Sequence, residues 1–195
     1  MKSFTTLMEL IETRRSIRSY KDQEVEEDKL KYVLQAFRKA PSAKNLQPWK
    51  LVVVKNKKVI RDLAIACNNQ TFMEEAPVII TACAKEEDAY GTMGGYMNSY
   101  PVDIAIALEH LILAATEKGL GTCWIGAFKV KEINNIINVP ENLSAELILA
   151  MGYPLEKPES EDIERGSSIK YYRDDSGTLH VPKRRLKDIL HFNQF

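Results

Sequence analysis

Pro101–Phe128 reads PVDIAIALEHLILAATEKGLGTCWIGAF, and the architecture can be built outward from it. Pro101 opens a helix and Gly119 lies just past its end, the asymmetry expected of helix termini. Ile104, Ala105, Leu108, Leu111, Ile112 and Ala115 form its main stripe, while Ile106, Ala107, Leu113 and Ala114 cover other faces. A helix apolar nearly all round is buried on most sides. It is either the centre of the domain or packed across a subunit interface. A short strand, Thr122–Ile125, follows among three glycines.

Upstream, Pro77–Ala84 is apolar at both parities, as in a buried central strand. Trp49–Lys55 is a strand rich in β-branched residues. Thr6-x-x-Glu9 reads as a capping box opening a first helix. Leu30, Val33, Leu34 and Phe37 mark a second helix, which must stop before Pro41. Ile60, Leu63, Ala64 and Cys67 mark a third, ended by Asn68-Asn69-Gln70. Downstream, Val130, Ile133, Ile136 and Ile137 make a short helix, and Ser144–Met151 a strand closed by Gly152-Tyr153-Pro154. Glu156–Arg165 is charged and reads as a solvated excursion, and Tyr171–Leu186 as an extended tail. The order α-α-β-α-β-α-β-α-β is not strict βαβ alternation, so an α+β fold is expected. At 195 residues one domain, 1–195, is the default.

Composition narrows the function classes. Lys+Arg and Asp+Glu are both 27 and the pI is 6.8, so no basic surplus points to nucleic acid. Ile104–Ala115 is too short to span a bilayer and carries Glu109 and His110. Met1–Ile11 has no long apolar run, so no signal peptide is expected, and the expected compartment is the cytoplasm. Cys67, Cys83 and Cys123 sit in apolar segments with no CxxC pair, as buried reduced thiols do. No Cys/His/Asp grouping suggests a metal.

Thr13–Tyr20, TRRSIRSY, places three guanidinium groups and two serine hydroxyls at the end of the first helix. Arg presents a planar fork that matches phosphate oxygens, so the segment suits a phosphate clamp. A solvated helix end would also explain it, because cations there favour the helix dipole. Pro41-Ser42-Ala43-Lys44-Asn45-Leu46-Gln47-Pro48 is a loop in which Ser42 and Asn45 also suit ordinary turn chemistry. Lys85–Tyr100 has no clear periodicity, holds Gly91, Gly94, Gly95, Tyr90, Tyr96 and Tyr100, and reads as a lid or substrate segment.

An early Arg-Arg-Ser-x-Arg, a Pro-Ser-x-x-Asn-x-Gln-Pro-Trp before a strand, Gly-x-Gly-x-x-x-x-Gly after a long apolar helix, and Gly-Tyr-Pro after a strand occur in one order. Together they resemble the nitroreductase family of FMN-dependent oxidoreductases, from about Leu7 to Pro154 and again at Pro182–Leu186. The resemblance implies a three-layer α/β/α sandwich with a mixed, mainly antiparallel sheet. It implies a homodimer with FMN between subunits and the tail, 156–195, exchanged across it.

For FMN the resemblance implies Arg14, Arg15, Ser16 and Arg18 at the phosphate and ribityl chain, with Lys183 and Arg185 closing on the phosphate. Pro41, Ser42, Ala43 and Asn45 would reach the flavin from the partner subunit. Ile125 and Gly126, with Ala127 beside them, would lie along the other flavin edge. The amide cluster Asn68-Asn69-Gln70 would supply the side chain that reads the pyrimidine edge, with Gln70 the choice among the three. Tyr96 and Tyr100 would tune acceptor choice. No residue is expected to act as a catalytic group, since the chemistry resides on the cofactor.

No GxGxxG follows a strand, so no separate nicotinamide fold is indicated. The resemblance implies that NAD(P)H binds transiently over the flavin and that a small planar acceptor, a nitroaromatic or quinone, then takes the same slot in a ping-pong order. Other branches of the fold are dehalogenases, flavin-cleaving enzymes and ring dehydrogenases. A flavin-binding module without turnover is the remaining class.

Overall fold

A computed structural model describes residues 6–195, which form two compact units divided between Leu155 and Glu156. The first unit runs α1 (Leu7–Thr13), α2 (Glu27–Arg38), β1 (Trp49–Val54), α3 (Lys57–Ala66), β2 (Val78–Ala84), α4 (Tyr100–Glu117), β3 (Gly121–Ile125), α5 (Val130–Ile136) and β4 (Ser144–Gly152). The order is the one expected from the sequence.

Local chemistry sets the helix ends. Thr6 Oγ1 accepts the Glu9 N–H at 3.3 Å, and the Glu9 carboxylate accepts the Thr6 N–H at 3.2 Å, closing the capping box of α1. Asn56 caps α3, and beyond the helix Asn68 and Asn69 both take a left-handed φ of 57°. At the end of α4, Gly119 has φ 75°; its N–H donates to Thr116 and the Leu120 N–H to Ala115. This paired closure requires a left-handed residue, and glycine adopts it without steric cost.

The sheet order is β1-β2-β4-β3, with every neighbouring pair antiparallel. Strand β2 is buried along its whole length. Side chains alternate across a strand, so β2 serves two cores. Val78, Ile80, Ala82 and Ala84 meet α2 and α4 through Val33, Phe37, Ile104, Leu108 and Leu111. Ile79 and Cys83 meet α3 and α5 through Leu63, Ala64, Cys67 and Ile133. The result is the expected three-layer α/β/α sandwich. The main stripe of α4 is inside it, whereas Ile106 and His110 are exposed. Among the described residues no helix is long and apolar enough to cross a membrane.

The second unit adds strand pairing to what the sequence suggested as a solvated excursion and an extended tail. Glu159–Ile163 is a strand, β5, parallel to β7 (Leu179–Arg184), and β6 (Tyr172–Arg173) pairs antiparallel on the other side of β7. The side chains of β5 are mostly exposed. Its pairing rests on backbone hydrogen bonds, which neither β propensity nor apolar alternation reveals. Parallel pairing, expected within a mixed sheet, occurs between β5 and β7 and, in the first unit, at the isolated Ser16–Thr122 bridge.

Candidate active site

The Arg-rich segment lies along the outer edge of β3. Ser16 forms a parallel bridge with Thr122, and the Ile17 N–H donates to the Thr122 carbonyl at 2.9 Å. Two glycines let it approach: Gly121 and Gly152 face each other across β3 and β4. A β-carbon on Gly152 would lie 2.5 Å from Pro77 Cδ and 3.0 Å from Tyr20 Cδ1. The Tyr20 hydroxyl donates to the Ile17 carbonyl at 2.7 Å. Ser19 Oγ and the Tyr20 N–H both donate to Glu75, at 3.2 and 3.0 Å, so the Ser19 hydroxyl is directed away from any anion clamp.

Arg14 and Arg15 are half-buried and adjacent, Ser16 is half-buried, and Arg18 is exposed. Arg14 Nε stands 3.9 Å from the Glu109 carboxylate on α4. Arg15 donates to the Arg14 carbonyl. Burial, and next the charge of Arg14, push the Arg15 guanidinium below its usual range. Two partly desolvated like charges side by side are relieved by an anion.

At the far end of β3, Ile125 is buried and Gly126 is exposed, and a β-carbon on Gly126 would meet nothing within 4 Å. Thr122 and Ile125 are three residues apart on the strand, about 10 Å. Gln70 Nε2 donates to the Cys67 carbonyl at 2.9 Å and to the Ala127 carbonyl at 3.2 Å. The structure therefore joins Gln70 to the Ile125–Ala127 edge, with its amide N–H groups spent on backbone.

Pro41–Asn45 sits elsewhere, at the N-terminal end of α4. Ala43 in it donates to Asp103, six residues before Glu109 and so about 9 Å along the helix from the Arg14 contact. The loop is conformationally unusual: Lys44, Asn45 and Gln47 have φ of 51°, 58° and 51°. Left-handed residues other than glycine persist where surrounding bonds over-determine them. Here Ser42 Oγ accepts the Gln47 N–H at 3.0 Å, and the Gln47 side-chain amide donates to Asn45 Oδ1 at 3.3 Å. The turn chemistry of Ser42 and Asn45 is thus real.

Three residues escaped the sequence reading. Asp103 is 3% exposed, and its Oδ1 accepts the Ala43 N–H at 2.9 Å while its Oδ2 accepts Ser99 Oγ at 2.7 Å. Ser99 is itself buried, and its Oγ accepts the Tyr90 N–H at 3.1 Å. Glu146 is the extra residue of a β-bulge, since Ala82 pairs with Leu147 and Cys83 with Ala145. Bulges re-aim side chains. Glu146 lines a cavity of about 480 Å³ with Tyr100 and Glu86, and burial pushes its carboxyl up. Burial, then Glu146 and Glu86, push the Tyr100 hydroxyl up as well. Tyr96, in contrast, is 83% exposed and does not line that cavity. The signal for the bulge is faint: a lone Glu inside an apolar strand.

Lys183 is an exposed residue of β7, opposite Asp162 on β5, and Arg185 forms an ion pair with Glu164. Cys67, Cys83 and Cys123 are buried. Burial pushes Cys67 up to about 12, and burial with the charge of Glu146 pushes Cys83 to about 11, so neither is a thiolate nucleophile near neutrality.

Comparison with known proteins agrees with this fold. Residues 11–153 match the model of the Nitroreductase family. A Methanothermobacter thermautotrophicus protein, named provisionally as an NADH dehydrogenase/NAD(P)H nitroreductase, is 31% identical over 161 residues, 80% of this chain and 82% of its own. The crystal structure of a nitroreductase family protein from Clostridium difficile 630 superposes with a TM-score of 0.78 at 30% identity, covering 98% of this chain and all (100%) of that one. An FMN-dependent nitroreductase from Clostridium difficile R20291 gives 0.75 at 30% identity, covering 96% and 99%. The chain belongs to the nitroreductase family and is an oxidoreductase.

Proposed function

We propose that the chain binds FMN and uses NAD(P)H to reduce a small planar acceptor such as a nitroaromatic or quinone. The observation that carries this reading is the convergence on one edge strand. Ser16 is bridged to the start of β3, with Arg14 and Arg15 directly before it in the chain, while Ile125 ends the strand and Gly126 follows it. The span between them is comparable to that from the phosphate to the ring of FMN. Half-buried guanidinium groups suit the phosphate, and the open backbone at Gly126 suits close approach of a flat ring. When bound, FMN supplies the electron chemistry, and the chain's tasks are to hold, orient and tune it. Arg18, Lys183 and Arg185 are the further phosphate ligands in this reading, and Gln70 keeps its carbonyl oxygen for the pyrimidine edge.

The Pro41–Asn45 loop is bonded to the other end of α4, which supports its serving the flavin of a partner subunit in a homodimer. Helix α1 buries none of its residues, and Leu7 and Met8 are 62% and 58% exposed, apolar surface of the kind an interface covers. In the same reading the 156–195 segment is exchanged between subunits and the protein is cytoplasmic. One slot admits NAD(P)H and, after the oxidised nicotinamide leaves, the acceptor, so the kinetics are ping-pong. Tyr96 and Tyr100 adjust acceptor choice.

The purified protein should be yellow and release FMN close to one per chain. Its flavin absorbance should bleach on anaerobic addition of NAD(P)H and return on adding a quinone. A colourless protein that fails to take up FMN overturns the reading; bound flavin that NAD(P)H cannot bleach overturns NAD(P)H as the reductant.

A further inference from the structure

We propose that Asp103 is a positioning residue: its buried carboxylate holds the 41–47 loop and the 85–100 segment in register, and so sets the acceptor selectivity of the site. The functional half rests on the flavin reading above; the coupling of the two loops rests on geometry alone.

An acidic residue in the first turn of a helix ordinarily caps that helix's own N–H groups or favours its dipole. Asp103 does something else. Neither of its oxygens takes a backbone N–H of α4; one accepts from Ala43 and the other from Ser99 Oγ. Ser99 carries the connection onward, because its Oγ accepts the Tyr90 N–H and its own N–H donates to the Tyr90 carbonyl at 2.8 Å, closing the base of the 90–99 loop. A buried carboxylate is costly unless its lone pairs are satisfied. Here satisfying them requires both loops to be in place at once.

The two loops also meet directly. Lys44 Nζ lies 4.4 Å from the centroid of the Tyr90 ring. Leu46, Gln47 and Pro48 on one side and Glu87, Asp88 and Ala89 on the other line a cavity of about 490 Å³. That volume falls in the range of small-molecule sites, roughly 300–1,000 Å³. Its walls belong to segments some 40 residues apart that share one anchor, so a shift at Asp103 changes the spacing between them.

Hydrogen–deuterium exchange on the whole protein tests the coupling, with Asp103→Ala, Asp103→Asn and Ser99→Ala. Asp103→Ala should raise exchange in both 41–47 and 85–99. Ser99→Ala should raise it in 85–99 and leave 41–47 nearly unchanged. Asp103→Asn keeps an acceptor for Ala43 and leaves Ser99 Oγ accepting from Tyr90, so it should leave 41–47 nearly unchanged and raise exchange in 85–99 less than Ser99→Ala does, which covers the case in which the alanine variant fails to fold. The second arm compares kcat/KM for a small quinone and a bulkier nitroaromatic at equal FMN content. A positioning role shifts their ratio roughly tenfold, within the range by which pocket contacts discriminate substrates. A merely structural role lowers both together. Unchanged exchange in both segments overturns the coupling, and changed exchange with a constant ratio overturns the positioning role. If the wild-type protein takes up no FMN, the flavin reading and the positioning role fall together, while the exchange arm still decides the coupling.

Discussion

Gly121 lies so close beneath Ile17 that a β-carbon on it would sit 2.7 Å from Ile17 Cγ1 and 3.0 Å from Ile17 Cβ. The first atom could rotate away, but the second is fixed to the backbone. Gly121→Ala should therefore lift residues 16–17 off β3 and strain their bond to Thr122. Overpacking of this kind costs about 1–3 kcal/mol. The expected outcome is a lower midpoint in denaturant unfolding together with weaker FMN retention. Full stability with full FMN content would show that the segment's seat on β3 does not matter.

Removing the clamp itself should separate binding from folding. Arg14 is half-buried and Lys183 is exposed, and neither supports a core contact. Arg14→Ala and Lys183→Ala should each weaken FMN retention by about 1.5–3 kcal/mol, the worth of a hydrogen bond to a charged group. Equilibrium dialysis against FMN measures this, with thermal unfolding of the apo forms nearly unchanged. Undiminished affinity in both variants would remove the phosphate assignment.

Thr81 offers a stability test away from the site. It is completely buried in the middle of β2, and among the described residues its Oγ1 has no hydrogen-bond partner. A buried hydroxyl without a partner carries its desolvation cost uncompensated, about 1–3 kcal/mol. Thr81→Val keeps the shape and removes the hydroxyl, so it should raise stability by about 1 kcal/mol or more. A destabilised valine variant would show that the hydroxyl is satisfied in solution.

The second unit has its own pH dependence. His180 Nε2 lies 3.0 Å from Asp174 Oδ2, and the His180 ring stacks on Tyr172. The hydrogen bond to Asp174 raises His180 above 6.5, while bonds from His180 and Ser176 hold Asp174 down at about 2. A raised histidine contributes stability in full below its unfolded value and loses it as pH rises through the folded one. A depressed carboxylate contributes above its unfolded value and loses it as pH falls through the folded one. The 172–184 hairpin should therefore be held best between pH 3.8 and 6.5. An NMR titration should find His180 above its ordinary value in the native chain and lower in Asp174→Asn; an identical midpoint in both would discard the pairing.

What the sequence by itself determined is what neighbours within a few residues decide. Apolar spacing located the helices, Thr6 and Glu9 capped the first, Gly119 closed the longest, and the two-sided burial of β2 was legible in its apolar run. The order of motifs carried the family. Only the tertiary structure decided the rest, because it depends on pairings between distant segments. Glu159–Ile163 became a strand through the backbone of β7, not through its own charged side chains. Glu146 was turned toward a cavity by a bulge that depends on register with β2. Asp103, in sequence a common acid in a helix's first turn, acquired its part from Ala43, 60 residues away. A hydrogen bond across such a separation leaves no periodic trace, because only folding makes the two groups neighbours.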